Sequence, residues 1–167
     1  MRKYLLPLAG LLLAAPALFA GSPPAIDAKA ALDRLRSLAG TWESKSDRGT
    51  FRITYEVLSG GSAVVERVMV DNMPMETIYH LDGSRLLLTH YCMLGNQPRM
   101  EAKEFNPETG ELKFEFLDVT NLAHPGAAHM RNVTYRFVDA DHLSADWQLF
   151  EDDTLKSTEH FEATRLP

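Results

Sequence analysis

The chain has 167 residues, 45% of them hydrophobic, and its 23 acidic residues against 17 Lys and Arg give a formal charge of −6. That balance leaves no electrostatic footprint for nucleic acid, because the basic residues neither outnumber the acids nor gather into a stripe. A single cysteine, Cys92, excludes an internal disulfide framework.

At the N-terminus, Arg2 and Lys3 precede an apolar run over 5–19, and small residues follow at Ala20, Gly21 and Ser22. This is the charged, apolar, small-residue order of a secretory signal peptide. The run contains Pro7, Gly10 and Pro16 and is shorter than the roughly 20 residues of a spanning helix. Cleavage is expected after Ala20, with Ala17 as the alternative. That leaves 21–167 as one exported domain, periplasmic or secreted, with no transmembrane segment in the mature chain.

Asp27 can cap a short helix that carries Leu32, Leu35 and Leu38 on one side and ends at Gly40. From there the period changes from 3.6 to 2. Phe51, Ile53, Tyr55 and Val57 alternate with Arg52, Thr54 and Glu56, as in a half-buried strand. With a strand at 41–46, further strands are expected at 62–70, 75–81, 85–93, 97–105, 111–117, 129–138, 142–150 and 154–166. Turn residues separate them at Gly60-Gly61, Asn72, Asp82-Gly83, Gly95-Asn96, Gly110, Asp139 and Asp152-Asp153. The link over 118–128, with Asn121 and His124, is too long for a tight hairpin and could act as a lid.

About ten strands in meander order, with no helical crossover, form an all-β antiparallel sheet. Closing it into an up-and-down barrel buries the apolar face and removes the edges; a sandwich is the alternative.

Gly40-Thr41-Trp42, directly after a short helix, resembles the opening Gly-x-Trp of lipocalins and related calycin barrels. Arg165 on the last strand is placed to cross that tryptophan, as an arginine does in those families. The Leu88–Cys92 and Asn96–Met100 segments resemble the signature of an uncharacterised group of secreted bacterial lipocalin-like proteins. The resemblance implies a barrel with an enclosed pocket for a small apolar or amphipathic molecule. Nitrobindin-like haem barrels are more distantly similar, through chain length, the early Gly-x-Trp and a histidine near the C-terminus, His160. Here Glu43-Ser44-Lys45-Ser46 replaces the further glycines of that family. Side-chain parity also opposes a haem axial role for His160, since an inward Phe161 sends His160 to solvent.

The polar residues of the inward faces are the candidates for ligand contact. On one strand Leu86, Leu88, His90 and Cys92 share a face. A histidine and a thiol two apart suit a shared metal or a nucleophile and base pair, and equally a core histidine beside a buried thiol. Glu66 interrupts the apolar row of Val64, Val68 and Val70. Buried there, it must pair, protonate or face a wet cavity, and His90 is a candidate partner across the barrel. Tyr79 can offer a hydroxyl, while Tyr55, Phe116, Tyr135 and Trp147, with Phe51, Phe114 and Phe137, supply inward aromatic surface. Glu66, Tyr79, His90, Cys92, Trp147, Tyr55, Phe116 and Tyr135 are therefore the expected ligand-binding set, with no catalytic or metal-binding residue assigned. No Gly-x-Ser-x-Gly elbow, His-Glu-x-x-His pair, phosphate-cradling loop or Cys-x-x-Cys occurs, so no common enzyme class is indicated. The alternatives to ligand binding are a haem or metal protein using His90, Cys92 or His160, a small enzyme with a His90 and Glu66 proton-transfer pair, and a structural module with a filled core.

Overall fold

A computed structural model describes residues 26–46 and 49–167. The expected signal peptide lies outside the described residues. One helix, α1 (Ala28–Arg36), precedes ten strands: β1 (Gly40–Ser46), β2 (Gly49–Leu58), β3 (Ala63–Val70), β4 (Met73–Asp82), β5 (Arg85–Tyr91), β6 (Gln97–Asn106), β7 (Glu111–Thr120), β8 (His129–Phe137), β9 (His142–Glu151) and β10 (Thr154–Arg165). Each strand pairs antiparallel with its sequence neighbours, and β1 pairs with β10, so the sheet is a closed barrel and not a sandwich. No helix among the described residues is long and apolar enough to cross a membrane.

The turns follow from residues that tolerate a left-handed backbone. Asp71 and Asn72 between β3 and β4, and Asp152 and Asp153 between β9 and β10, all have positive φ. That is the two-residue hairpin geometry whose twist matches the flanking strands. Gly40 has φ of +130°, and a Cβ there would meet the Arg165 guanidinium at 3.1 Å. The glycine of the Gly-x-Trp segment is thus required by both backbone and space.

Closure is fastened at that point. Trp42 lies opposite Arg165 in the β1 and β10 register, and the guanidinium sits 4.4 Å from the indole centroid. The same guanidinium donates to the carbonyls of Ala39 (2.8 Å), Ser37 (2.8 Å) and Ala140 (3.1 Å). Trp42 Nε1 in turn donates to Leu38 O at 2.8 Å. The chain leaving α1 is therefore bound to both ends of the sheet.

Helix α1 begins where Asp27 accepts a hydrogen bond from Ala30 N at 2.9 Å. It buries Ala28, Ala31, Leu32 and Leu35 completely against the barrel, and Leu38 follows them inward. Full burial of each leucine is worth about 1.5–3 kcal/mol. Arg36 donates to Gly61 O in the link between β2 and β3, and Arg34 lies over the Phe137 ring at 4.9 Å. The helix closes one end, and beneath it Trp42, Tyr55, Val64, Leu86, Leu112, Phe114, Phe137 and Leu143 fill the interior.

Two ladders in the wall are short. β5 and β6 share only the pairs Leu87 with Glu101, Leu88 with Met100 and Thr89 with Arg99. The ladder between β7 and β8 stops at Phe114 opposite Val133, so the mouthward parts of those strands diverge.

Replacing Arg165 with lysine keeps the charge and removes the planar fork. This is expected to lower stability by about 1–2 kcal/mol, and Arg165→Ala by about 2–3 kcal/mol, read from urea unfolding midpoints at unchanged m. Midpoints equal to that of the wild type would show that the seam does not depend on this side chain.

Candidate functional site

The end opposite α1 is open. A cavity of about 340 Å³ enters there and is lined by residues of β1 to β5 and β8 to β10 and by the β5–β6 loop. Its walls are mainly apolar: Phe51, Ile53, Val68, Val70, Leu149 and Phe161, with the flexible side chains of Met73, Met75, Met93 and Met130 among them. Glu66, His90 and Trp147 also line it, each buried, at 3%, 6% and 6% exposure.

The polar groups owe their placement to strand register. Tyr55 on β2 is opposite Glu66 on β3, Glu66 is opposite Thr77 on β4, and Thr77 is opposite His90 on β5. Four adjacent strands thus present a continuous polar row on the inner face at one level. With neighbouring strands about 4.8 Å apart, the backbones of Glu66 and His90 stand about 10 Å apart with Thr77 between them.

Glu66 finds its partners below this row. Its Oε2 lies 2.7 Å from Tyr79 Oη and 3.1 Å from Tyr135 Oη, and the two hydroxyls are 2.5 Å apart, so the two phenolic protons serve two of these three contacts at a time. Tyr55 Oη also acts on the carboxyl but has no hydrogen-bond partner of its own. Burial pushes the Glu66 carboxyl above its ordinary value, while the hydroxyls of Tyr79 and Tyr135, and that of nearby Tyr55, pull it back. Oε2 is thereby committed to the tyrosines, and Oε1 is left to the cavity. The tyrosines are pushed well above 10, first by burial and then by the adjacent carboxyl, so all three remain neutral donors.

His90 Nδ1 lies 2.9 Å from Thr77 Oγ1, and its ring packs on Trp147 with centroids 4.8 Å apart. Burial takes its pKa from the ordinary 6.5 to about 4, so the imidazole is neutral at pH 7. The contact with Thr77 fixes the ring, which borders the cavity.

Several sequence expectations change here. The direct pairing of Glu66 with His90 is replaced by separate bonds to Tyr79 with Tyr135 and to Thr77, because Thr77 stands between the two strands. Cys92 does border the cavity, but β5 ends at Tyr91 and the cysteine opens the loop, its N–H bonded to Asn96 O at 3.1 Å. Burial raises its thiol pKa, against backbone N–H groups of Leu94 and Met93 that lower it, so the sulfur is held as thiol. Tyr55, Tyr79 and Tyr135 support the floor and do not line the open space, and Tyr79 spends its hydroxyl on Glu66 and Tyr135. Phe114 and Phe137 lie in the filled half.

Phe116 lies outside the lining. Its ring contacts His129 at 5.2 Å and carries the Arg131 guanidinium at 4.9 Å, where β7 and β8 diverge. Arg131 also donates to His129 Nε2 at 3.1 Å and pairs with Asp153. His160 is exposed and bonds Asp146 at 2.6 Å on the outer face, as its parity requires, and its place on β10 also borders the rim of the cavity. The long link is tied to the β5–β6 loop, through Asn96 Nδ2 to Ala128 O at 2.9 Å and Asn121 Nδ2 to Gly95 O at 2.6 Å. His124 is exposed on that link. Among the described residues no group of three or more His, Cys, Asp or Glu is placed to hold a metal ion.

Thr77 and the methionines were not singled out from the sequence. The parity of β4, which puts Met73, Met75, Thr77 and Tyr79 on one face, was the available signal.

The neutral state of His90 has a consequence for stability. Its folded pKa lies below the unfolded value, so the unfolded chain binds more protons between pH 4 and 6.5. This contribution is complete above pH 6.5 and is lost as pH falls toward 4, by up to about 3 kcal/mol. In His90→Gln that component is expected to vanish, flattening the acid side of the stability profile measured by urea unfolding from pH 4 to 7. Parallel profiles for the two proteins would contradict it.

No family model matches the chain, and no curated protein does. Among solved structures it is similar to a protein of unknown function from the DUF3598 family of Nostoc punctiforme, with 10% sequence identity and a TM-score of 0.44. The match covers 88% of this chain and 53% of the other, so the chain spans about half the length of that neighbour.

Proposed function

We propose that this is an exported lipocalin-like protein that binds a small apolar or amphipathic molecule in the open half of its barrel. The observation that carries this reading is the cavity itself. At about 340 Å³ it falls within the range of small-molecule sites, roughly 300–1,000 Å³. Its apolar walls converge on a few fixed polar atoms, which is the arrangement such sites use to combine affinity with orientation. Glu66 and His90 orient the ligand, Trp147 offers a rigid aromatic face, and the methionines adapt to its shape. A structural module would have no need to leave this volume unfilled while the other half of the same barrel is packed.

The test is uptake of N-phenyl-1-naphthylamine, a neutral apolar dye that brightens on leaving water. The wild type is expected to take it up. Val68→Trp, which places bulk in the cavity, is expected to weaken uptake at least tenfold while shifting Tm by no more than a few degrees. No uptake by the wild type, or equal uptake by both proteins, would overturn the proposal.

Export rests on the N-terminal pattern of Arg2, Lys3, the apolar run and Ala20. The mass of the protein recovered from periplasm or medium is expected to correspond to a chain starting at Gly21 or Leu18. A chain retained in the cytoplasm with its first 17 residues in place would overturn it.

A further inference from the structure

The lining of the cavity carries a charge pattern that narrows the class of ligand, and this step rests on the ligand-binding reading above. Glu66 is the buried carboxyl that borders the cavity, and among the described lining residues there is no lysine or arginine. An anionic head group, such as the carboxylate of a fatty acid, would be taken out of water beside a carboxyl group with no described cation to meet it. Burial of an unpaired charge is among the largest penalties a site can impose.

Glu66 has the opposite disposition. Burial favours its neutral form, the hydroxyls of Tyr79 and Tyr135 at Oε2 act against that, and a cation placed at Oε1 on the cavity side would complete the ionised form. Nearby stand aromatic faces: Trp147 beside His90, and Phe51 against Phe161 with centroids 6.3 Å apart. Aromatic faces attract cations through the ring quadrupole, most strongly where water is excluded. His90 adds a neutral imidazole at the same level as Glu66, two strands away, whose second ring nitrogen accepts or donates according to which nitrogen carries the proton.

We propose that the occupant is an organic cation, an amine carried on an apolar body, with its nitrogen at Glu66 and its body between Trp147 and the methionine-lined mouth. The ammonium meets Oε1 of Glu66, and the apolar part replaces water along Ile53, Val68, Met75 and Leu149. The tyrosines act as positioning residues, because they hold the carboxyl and do not reach the ligand.

The experiment uses three probes with one tail and different heads: octylamine, octan-1-ol and octanoate, titrated calorimetrically into the mature protein at pH 7.5. Octylamine is expected to bind at least tenfold more tightly than octan-1-ol, and octanoate more weakly than either. In Glu66→Gln, which preserves shape and an acceptor, the preference for octylamine over octan-1-ol is expected to disappear. Octanoate binding as tightly as octylamine, or octan-1-ol equal to octylamine in the wild type, overturns the cation assignment and leaves the ligand-binding reading standing. Binding of none of the three overturns both. The wild-type series decides the question even if Glu66→Gln does not fold.

Discussion

A single sheet of ten strands has no exposed edge only if the first strand pairs with the last, and everything inside this molecule depends on that closure. The register between β1 and β10 sets Trp42 against Arg165, and one guanidinium holds an indole face and three backbone carbonyls together. Those carbonyls belong to the end of the helical segment and to the β8–β9 turn, so the closing seam, the helix and the far wall are joined at one point. Once the ring is closed, its two ends become unlike. One end receives the leucines of α1 and fills; the other keeps the volume that the inward side chains do not reach.

The boundary between the halves is polar. A carboxyl group taken out of water needs compensation of several kcal/mol, and three tyrosines from β2, β4 and β8 converge to provide it. They also fill the barrel beneath the carboxyl, so the same side chains that satisfy Glu66 form the floor on which a ligand would rest. Thr77 performs a parallel task for His90. The interior changes from packed to open at the level where polar groups from four neighbouring strands align, and the alignment follows from pairing without any local motif.

Much of this architecture is legible in the sequence because it depends on parity. Alternation in 51–57 and in the later strands marks which side chains face in, and it places Glu66, His90 and Trp147 inward and His160 outward, as found. Asp27 as a cap, the short helix and the Trp42 and Arg165 contact are legible for the same local reason. What alternation does not carry is which strand's residue meets which. Glu66 lies 69 positions from Tyr135, and its partner could be named only once register and curvature around the ring were known. Thr77 carries no signature as a residue type, and its place between Glu66 and His90 follows from two successive turn geometries. Cys92 leaves the strand because Gly95 and Asn96 turn the chain, which bends the backbone before the alternation runs out. The division into a filled and an open half depends on summed side-chain volume at each level, which no pattern of hydrophobic and polar letters records.

The early end of the β7–β8 ladder gives the wall an unequal resistance to local opening. Beyond Phe114 the two strands are joined by the Phe116, His129 and Arg131 side chains and not by a backbone ladder, and Arg131 is anchored to Asp153 in the neighbouring turn. Amides over 115–120 that face β8 lack the ladder protection that Glu111–Phe114 have against the same strand. Separation there breaks the contacts of the Phe116 ring with His129 and Arg131, whereas separation at the β1 and β10 seam breaks the closure of the whole sheet. The barrel can therefore breathe along one flank while its helix-capped end stays intact, and exchange between cavity and solvent need not be confined to the mouth.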